Sequence, residues 1–181
     1  MPVITENILR KCSQNDRRAQ RALYDATAPW LFLVCKRYLR QDADIQAALT
    51  EAFYILFTKI HQLEQVSAFE AWAKKIAVNA CLELIRKSKK FLSENSELSE
   101  SNAGADTSAL NALQEKDLLQ LLNHLPSGAK AVFNLYAIEG YSHKEIGQLL
   151  EISEGTSKSQ LNYAKSKLRT LVTQYYYAKQ N

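Results

Sequence analysis

LPSGAKAVFNLYAIEGYSHKEIGQLLEISEGTSKSQLNYAKSKLR, residues 125–169, is the most specific stretch of this chain. It reads as a helix-turn-helix with a further helix leading into it. A short helix fits residues 142–150. Ser142 and Glu145 form a capping box, in which two side chains close orphan backbone donors at the helix start. Ile146, Leu149 and Leu150 make its apolar stripe. Glu151 and Ile152 form the turn, and Ser153 caps the next helix. That helix turns Leu161, Ala164, Leu168 and Leu171 inward. Its other face carries Lys158, Ser159, Asn162, Tyr163, Lys165 and Lys167. A polar, basic face on the second helix of such a pair suits docking in a major groove. Taken alone, the same face also fits an ordinary solvated helix.

Upstream, residues 109–124 are amphipathic through Leu110, Leu113, Leu118, Leu121 and Leu122, and Pro126 restarts the chain before a helix over 129–138. Residues 93–109, SENSELSESNAGADTSA, are polar and acidic, with Leu98 as the single large apolar residue and no periodicity. Such a segment cannot bury enough apolar surface to order itself, so it reads as a flexible linker. Before it, helices are expected over 4–11, 17–40 with a break near Pro29, 44–60 and 67–89. Ser67 and Glu70 form a second capping box that fixes the start of the last helix. Tyr54, Leu56, Phe57 and Ile60 read as core. The predicted fold class is all-α. Two small helical domains, residues 1–92 and 109–181, flank a flexible acidic linker at 93–108, and the C-terminal domain is the helix-turn-helix.

Composition agrees with this organisation. Hydrophobic residues make up 46% and charged residues 23% of the 181-residue chain, which predicts a packed core. The net charge of +4 conceals a pattern: residues 1–92 carry +6, residues 93–117 carry −5 and residues 118–181 carry +3. Two basic blocks around an acidic strip suggest two nucleic-acid-facing units. Cys12, Cys35 and Cys81 are odd in number and widely spaced, so no disulfide framework or zinc site is expected. Reduced thiols point to the cytoplasm. The start, MPVITENILRKC, has no apolar core of a signal peptide, and no run reaches membrane-spanning length. His61, His124 and His143 share no ligand spacing. No nucleophile–base pair, acid pair or Gly-rich phosphate loop suggests an enzyme, and no metal or cofactor is expected.

Several motifs resemble one family. Glu139-Gly140-Tyr141-Ser142, Glu145-Ile146 and residues 152–161 are similar to the −35-reading domain of bacterial sigma factors of the small extracytoplasmic-function type. Ala22-Leu23-Tyr24, Ala28-Pro29-Trp30-Leu31 and residues 67–79, SAFEAWAKKIAVN, resemble that family's core-binding and −10-reading domain. The two motif sets stand in the family's order, with a linker between them.

The resemblance implies promoter recognition and melting without catalysis by the chain itself. It implies RNA polymerase core (clamp and flap regions), promoter DNA, and an anti-sigma factor or another recruiting protein as partners, with no membrane insertion, in the bacterial cytoplasm. For the single strand of the −10 element it points to Gln65, Ser67, Trp72, Lys74, Lys75, Asn79, Arg86 and Lys87. The connection at 61–66 would hold a flipped base. Aromatic platforms, amides and a basic groove are what unstacked bases need. By residue type alone, Trp72 reads first as a core aromatic, since large aromatics are usually mostly buried, and Asn79 as a solvent-facing helix residue. For the −35 duplex it points to Lys158, Ser159, Asn162 and Tyr163 at base edges, with Ser142, Lys144, Thr156 and Lys165 at phosphates. For the polymerase it points to Asp44, Ile45, Ala48, Leu49, Glu51 and Ala52.

Three departures from the family matter. Its clamp-binding helix is usually more acidic; here Gln46, Ala47 and Thr50 replace usual residues while Asp44, Glu51 and Phe53 remain. Arg is common at the positions of Gln160, Tyr163 and Lys165, so weaker phosphate anchoring is expected. Glu151 stands where Gly or Asn is common, and a left-handed backbone there would cost about 1 kcal/mol, so a locally different turn is expected. Two alternatives stay open: a sigma-like interaction protein that does not read DNA productively, and a conventional helix-turn-helix regulator. A factor recruited by another DNA-bound protein is a variant of the first reading.

Overall fold

The computed structural model describes residues 4–88 and 115–180. The expected linker at 93–108 and the expected helical residues 109–114 lie outside the described residues. The described residues form helices and turns only, and the chain divides into two compact units, 1–84 and 85–181.

The first unit begins with α1 (Glu6–Ser13), whose Thr5 hydroxyl accepts from Ile8 N. Asn15 takes a left-handed turn at φ 61°, a conformation that Asn tolerates better than most residues. Asp16 then caps α2 (Arg17–Tyr38) by accepting from Ala19 N at 2.9 Å. That backbone donor is the main reason its carboxyl titrates below the usual range. The expected break at Pro29 is absent: α2 runs unbroken through it. Proline removes one donor and crowds the carbonyl four residues back. Here it sits on the exposed side, while Leu23, Thr27, Leu31, Val34 and Cys35 are buried on the other. Burial of each large apolar side chain stabilises by about 1.5–3 kcal/mol, enough to offset the local cost.

α3 (Asp42–Lys59) packs on α2, and α1 packs on both. A 3-10 turn at Ile60–Gln62 ends α3, and a second at Val66–Ala68 leads into α4 (Phe69–Lys87). The helix therefore starts two residues after Ser67, which lies inside the 3-10 turn rather than capping the helix. Phe69 and Ile76, with Ala73, Ala77 and Ala80, put a buried face on α4. Cys35 and Cys81, from α2 and α4, are both buried, and a side-chain hydrogen bond with Cys81 is the main cause that holds the Cys35 thiol below its ordinary range. None of the three cysteines forms a disulfide and all are buried, and burial pushes the Cys12 thiol up to about 11. Leu56 and Ile60 are core as expected, but Tyr54 is 65% exposed.

The second unit holds α5 (Glu115–Leu122), α6 (Ser127–Phe133), α7 (His143–Leu150) and α8 (Glu154–Gln180). α8 is the spine: α5, α6 and α7 all pack on it. Leu161, Ala164, Leu168 and Val172 form its buried stripe, so Val172 takes the place expected of Leu171. The expected helix over 129–138 instead spans α6 and a π-turn at Asn134–Ile138, where Glu139 N donates to Asn134 O at 3.0 Å. Lys130 is buried, and its ammonium donates to Asn123 Oδ1 at 2.8 Å, tying α6 to the end of α5.

Candidate nucleic-acid interface

On α4 the spacing of Trp72, Lys75 and Asn79 puts them on one stripe, and the structure leaves that stripe accessible. Lys75 and Asn79 are exposed; Trp72 is half-buried. Phe69, fully buried, lies under Trp72 with ring centroids 6.3 Å apart. One edge of the indole is thus anchored in the core while another faces solvent. Gln65 and Ser67 are exposed just before the helix, Lys74 and Arg86 are half-buried along it, and Lys87 is exposed at its end. Within the first unit, Gln65, Ser67, Trp72, Lys75 and Asn79 thus put amides, a hydroxyl, an indole and a cation at the surface, whereas Lys74 lies on another side of α4 and Arg86 Nη1 donates to Leu149 O and to the Glu151 carboxylate, both at 3.2 Å.

α3 divides the polymerase-facing set differently. Ile45 and Ala52 are 0% exposed, Ala48 1% and Leu49 7%. These four are core residues, a correction to their expected role at a partner surface. Their spacing, three or four residues apart, is itself the core stripe of an amphipathic helix. Of the expected set only Asp44 and Glu51 reach solvent, beside Ala47, Thr50 and Tyr54 on the opposite face.

The helix-turn-helix is built from local signals. Ser142 accepts from Glu145 N at 3.3 Å, and the Glu145 carboxylate accepts from Ser142 N at 2.8 Å and from its hydroxyl at 2.7 Å. The Ser142 hydroxyl bond, then the backbone one, holds the Glu145 carboxyl below its ordinary pKa. Ser142 is committed to the cap. Glu151 is left-handed after all, at φ 58°, ψ 41°. The turn keeps that geometry because Ile152 N must reach Gly147 O, at 3.0 Å. Gly147 is required for the same closure: a Cβ there would sit 2.8 Å from the Ile152 carbonyl oxygen.

Past the turn, Ser153 Oγ accepts from Thr156 N at 2.9 Å and opens α8. Lys158, Ser159 and Asn162 are exposed and Tyr163 is half-buried on one face; Lys144 is exposed at the start of α7. Lys158 pairs with Glu154 at 2.8 Å, and this pairing draws the Glu154 carboxyl below its usual pKa. Ser159 donates to Thr156 O at 3.0 Å. Gln160 is 1% exposed and belongs to the packing of the unit, so its lack of charge removes no phosphate contact.

The sequence did not reveal a four-residue cluster that braces this face. The π-turn carries Tyr136 outward, where its ring stacks on His143 at 4.7 Å. Lys165 lies 5.6 Å from the centre of the Tyr136 ring. His143 Nδ1 and the buried Ser157 hydroxyl are hydrogen bonded at 2.9 Å, linking α7 to α8. Burial, then the charge of Lys158, lowers the His143 pKa, with Glu154 opposing and Lys165 adding to the effect. The imidazole is therefore neutral at physiological pH. Spacing could not have found this cluster, because the irregular turn at 134–138 breaks the helical register.

Comparisons with known proteins agree with this arrangement. Residues 23–91 match the family described as Sigma-70 region 2, and residues 115–168 match Sigma-70, region 4. The chain is similar to the ECF RNA polymerase sigma factor SigM of Bacillus subtilis, 28% identical over 125 residues, covering 68% of this chain and 76% of that protein. It is similar to the ECF RNA polymerase sigma factor SigW of the same organism, 22% identical over 93% of this chain and 97% of the relative. It is also 20% identical to the ECF RNA polymerase sigma-E factor of Haemophilus influenzae, over 91% and 93% of the two chains.

Proposed function

The chain belongs to the sigma-70 family as an extracytoplasmic-function type sigma factor, and from that premise we propose how its residues divide promoter recognition. Sigma factors act by binding rather than by catalysis. α4 and the turn before it hold the unpaired strand of the −10 element. Trp72 offers a stacking face, Asn79 and Gln65 offer amide hydrogen bonds, and Lys75, Lys74, Arg86 and Lys87 offer charge to phosphates. The connection at residues 61–66 receives a base flipped out of the stack. α8 enters the −35 major groove with Lys158, Ser159, Asn162 and Tyr163 at base edges, while Lys144, Thr156 and Lys165 touch phosphates. Phosphate contacts set register and base contacts set sequence.

The observation that carries this reading is the accessible stripe of Trp72, Lys75 and Asn79 on a helix whose opposite face is core. The polymerase clamp is met by the solvent face of α3, through Asp44, Glu51, Ala47 and Tyr54. Domains at residues 1–92 and 109–181 flank the acidic stretch at 93–108. The factor works in the bacterial cytoplasm, with an anti-sigma factor or a recruiting protein as a further partner.

The test is reconstituted transcription with core polymerase over a randomised promoter library. Asn79→Ala shifts the selected −10 bases and Lys158→Ala the selected −35 bases. If both variants select the wild-type sequences, the residue assignments are wrong.

A further inference from the structure

The cluster around Tyr136 has a property that bracing alone does not account for. Tyr136 is 39% exposed, and Lys165 is half-buried beside it, with Nζ 5.6 Å from the ring centre. That distance is within reach of the attraction between a cation and the face of an aromatic ring, about 6 Å. The ring itself is doubly anchored. Backbone bonds close the chain around it, Glu139 N donating to Asn134 O at 3.0 Å and Tyr141 N to Leu135 O at 2.9 Å. His143 stacks on it with 22° between the planes, and is fixed in turn by its hydrogen bond with the buried Ser157 hydroxyl at 2.9 Å. Ser157 and Lys165 both belong to α8, so the chain of contacts leaves that helix, passes through α7 and the π-turn, and returns to it.

Restraint of this kind differs from an ion pair. Lys158, on the same helix, is paired with Glu154 at 2.8 Å, and the carboxylate offsets the charge it holds. An aromatic ring has no net charge, so it restrains an ammonium and leaves it positive. Lysine has a flexible stem, and fixing that stem at a phosphate costs rotamer freedom when DNA binds. A side chain already resting on a fixed ring has given up part of that freedom beforehand.

We propose that Tyr136 is a positioning residue for the −35 duplex: the face of its ring holds the Lys165 ammonium, still fully charged, in place for a phosphate. The proposal rests on the reading that Lys165 touches a phosphate. Tyr136 acts through Lys165, and the ring face, not the hydroxyl, is what the role requires.

The experiment is equilibrium binding of the full chain with core polymerase to a promoter duplex selected from the randomised library, measured over a range of salt concentrations. Lys165→Met should weaken binding and lower the log–log salt slope by about 0.9, the value for one lost phosphate contact. Tyr136→Leu should weaken binding about 2–5-fold, the scale of an exposed contact between a cation and a ring. Tyr136→Phe, which keeps the ring, should bind within about 2-fold of the wild type. In the Lys165→Met background, Tyr136→Leu should cost nothing further, because the two residues act as one. Should Tyr136→Leu disturb the fold, increasingly fluorinated phenylalanines at position 136 make the same test. Fluorine withdraws charge from the ring face and hardly alters its shape, so affinity should fall with each added fluorine. The proposal is overturned if Tyr136→Leu leaves binding unchanged or weakens it equally with and without Lys165, if Tyr136→Phe loses as much as Tyr136→Leu, or if the fluorinated series binds uniformly. The phosphate reading of Lys165 survives those results. If Lys165→Met changes neither affinity nor slope, that reading falls and the proposal with it.

Discussion

Gly147→Ala puts the geometry of the helix-turn-helix to a local test. Gly147 lies inside α7, where alanine would ordinarily improve a helix by roughly 0.5–1 kcal/mol. The structure reverses the sign. A Cβ at 147 would lie 2.8 Å from the Ile152 carbonyl oxygen, a backbone atom that cannot rotate away. Overpacking of this kind costs about 1–3 kcal/mol. After the propensity gain, the net loss is about 1 kcal/mol, and up to about 2 if the turn cannot shift. The assay is amide hydrogen exchange at Ile152, whose N–H donates to Gly147 O at 3.0 Å. Exchange there should be about 5–30-fold faster in the variant, the factor that 1–2 kcal/mol implies. Gly155→Ala is the control: its Cβ would meet nothing nearer than Ser153 Oγ at 3.6 Å, so exchange should be unchanged or slower. Equal behaviour of the two alanine variants would refute the close-approach argument.

Glu151→Asn should stabilise the second unit by about 0.5–1 kcal/mol in thermal melting, because Asn tolerates the left-handed backbone better than Glu. Tyr54→Ala should weaken capture of polymerase core by about 10-fold or more in equilibrium pulldown, since an exposed aromatic on a partner-facing helix is a typical binding anchor; Ala48→Ser in the core should act on stability instead. Lys144→Ala, at a proposed phosphate contact, should make binding to a −35 duplex less salt-dependent, by about 0.9 in the log–log slope. Glu154→Gln should tighten binding to the −35 duplex, because it releases Lys158, proposed at base edges, from its 2.8 Å partner. Acid titration should separate two groups. His143 has a lowered pKa when folded, so its stabilising contribution is complete above the unfolded value near 6.5 and is lost as pH falls toward the lower folded value; His143→Gln should flatten that part of the pH–melting curve. Glu145 is also lowered, so the capping box holds above the ordinary carboxylate range and weakens as pH falls below about 4.5, a dependence that Glu145→Gln removes.

The family and the helical class were legible because their signals are local. A capping box such as Ser142 with Glu145 links residues three apart, and an apolar stripe such as Leu161, Ala164 and Leu168 needs only helical periodicity. Exposure on a helix face, as at Lys75 and Asn79, is legible for the same reason. The errors fall where a distant partner decides. Periodicity marked Ile45, Ala48, Leu49 and Ala52 as a stripe but could not say whether a partner protein or the core would cover it; packing within the first unit decided that. Pro29 and Glu151 carry clear local costs, yet the buried face of α2 and the closure between Gly147 and Ile152 outweigh them.

By itself, then, the amino-acid order determined which segments are helical, which helices pair as a helix-turn-helix, and which cations and amides stand on their polar faces. Tertiary structure alone decided which face of α3 is left exposed, how Tyr136 comes to rest on His143, and that α1 borders a cleft beside residues 61–66. The reason is range. Hydrogen bonds within one helical turn are written into neighbouring residues, whereas burial depends on side chains that only the folded chain brings together.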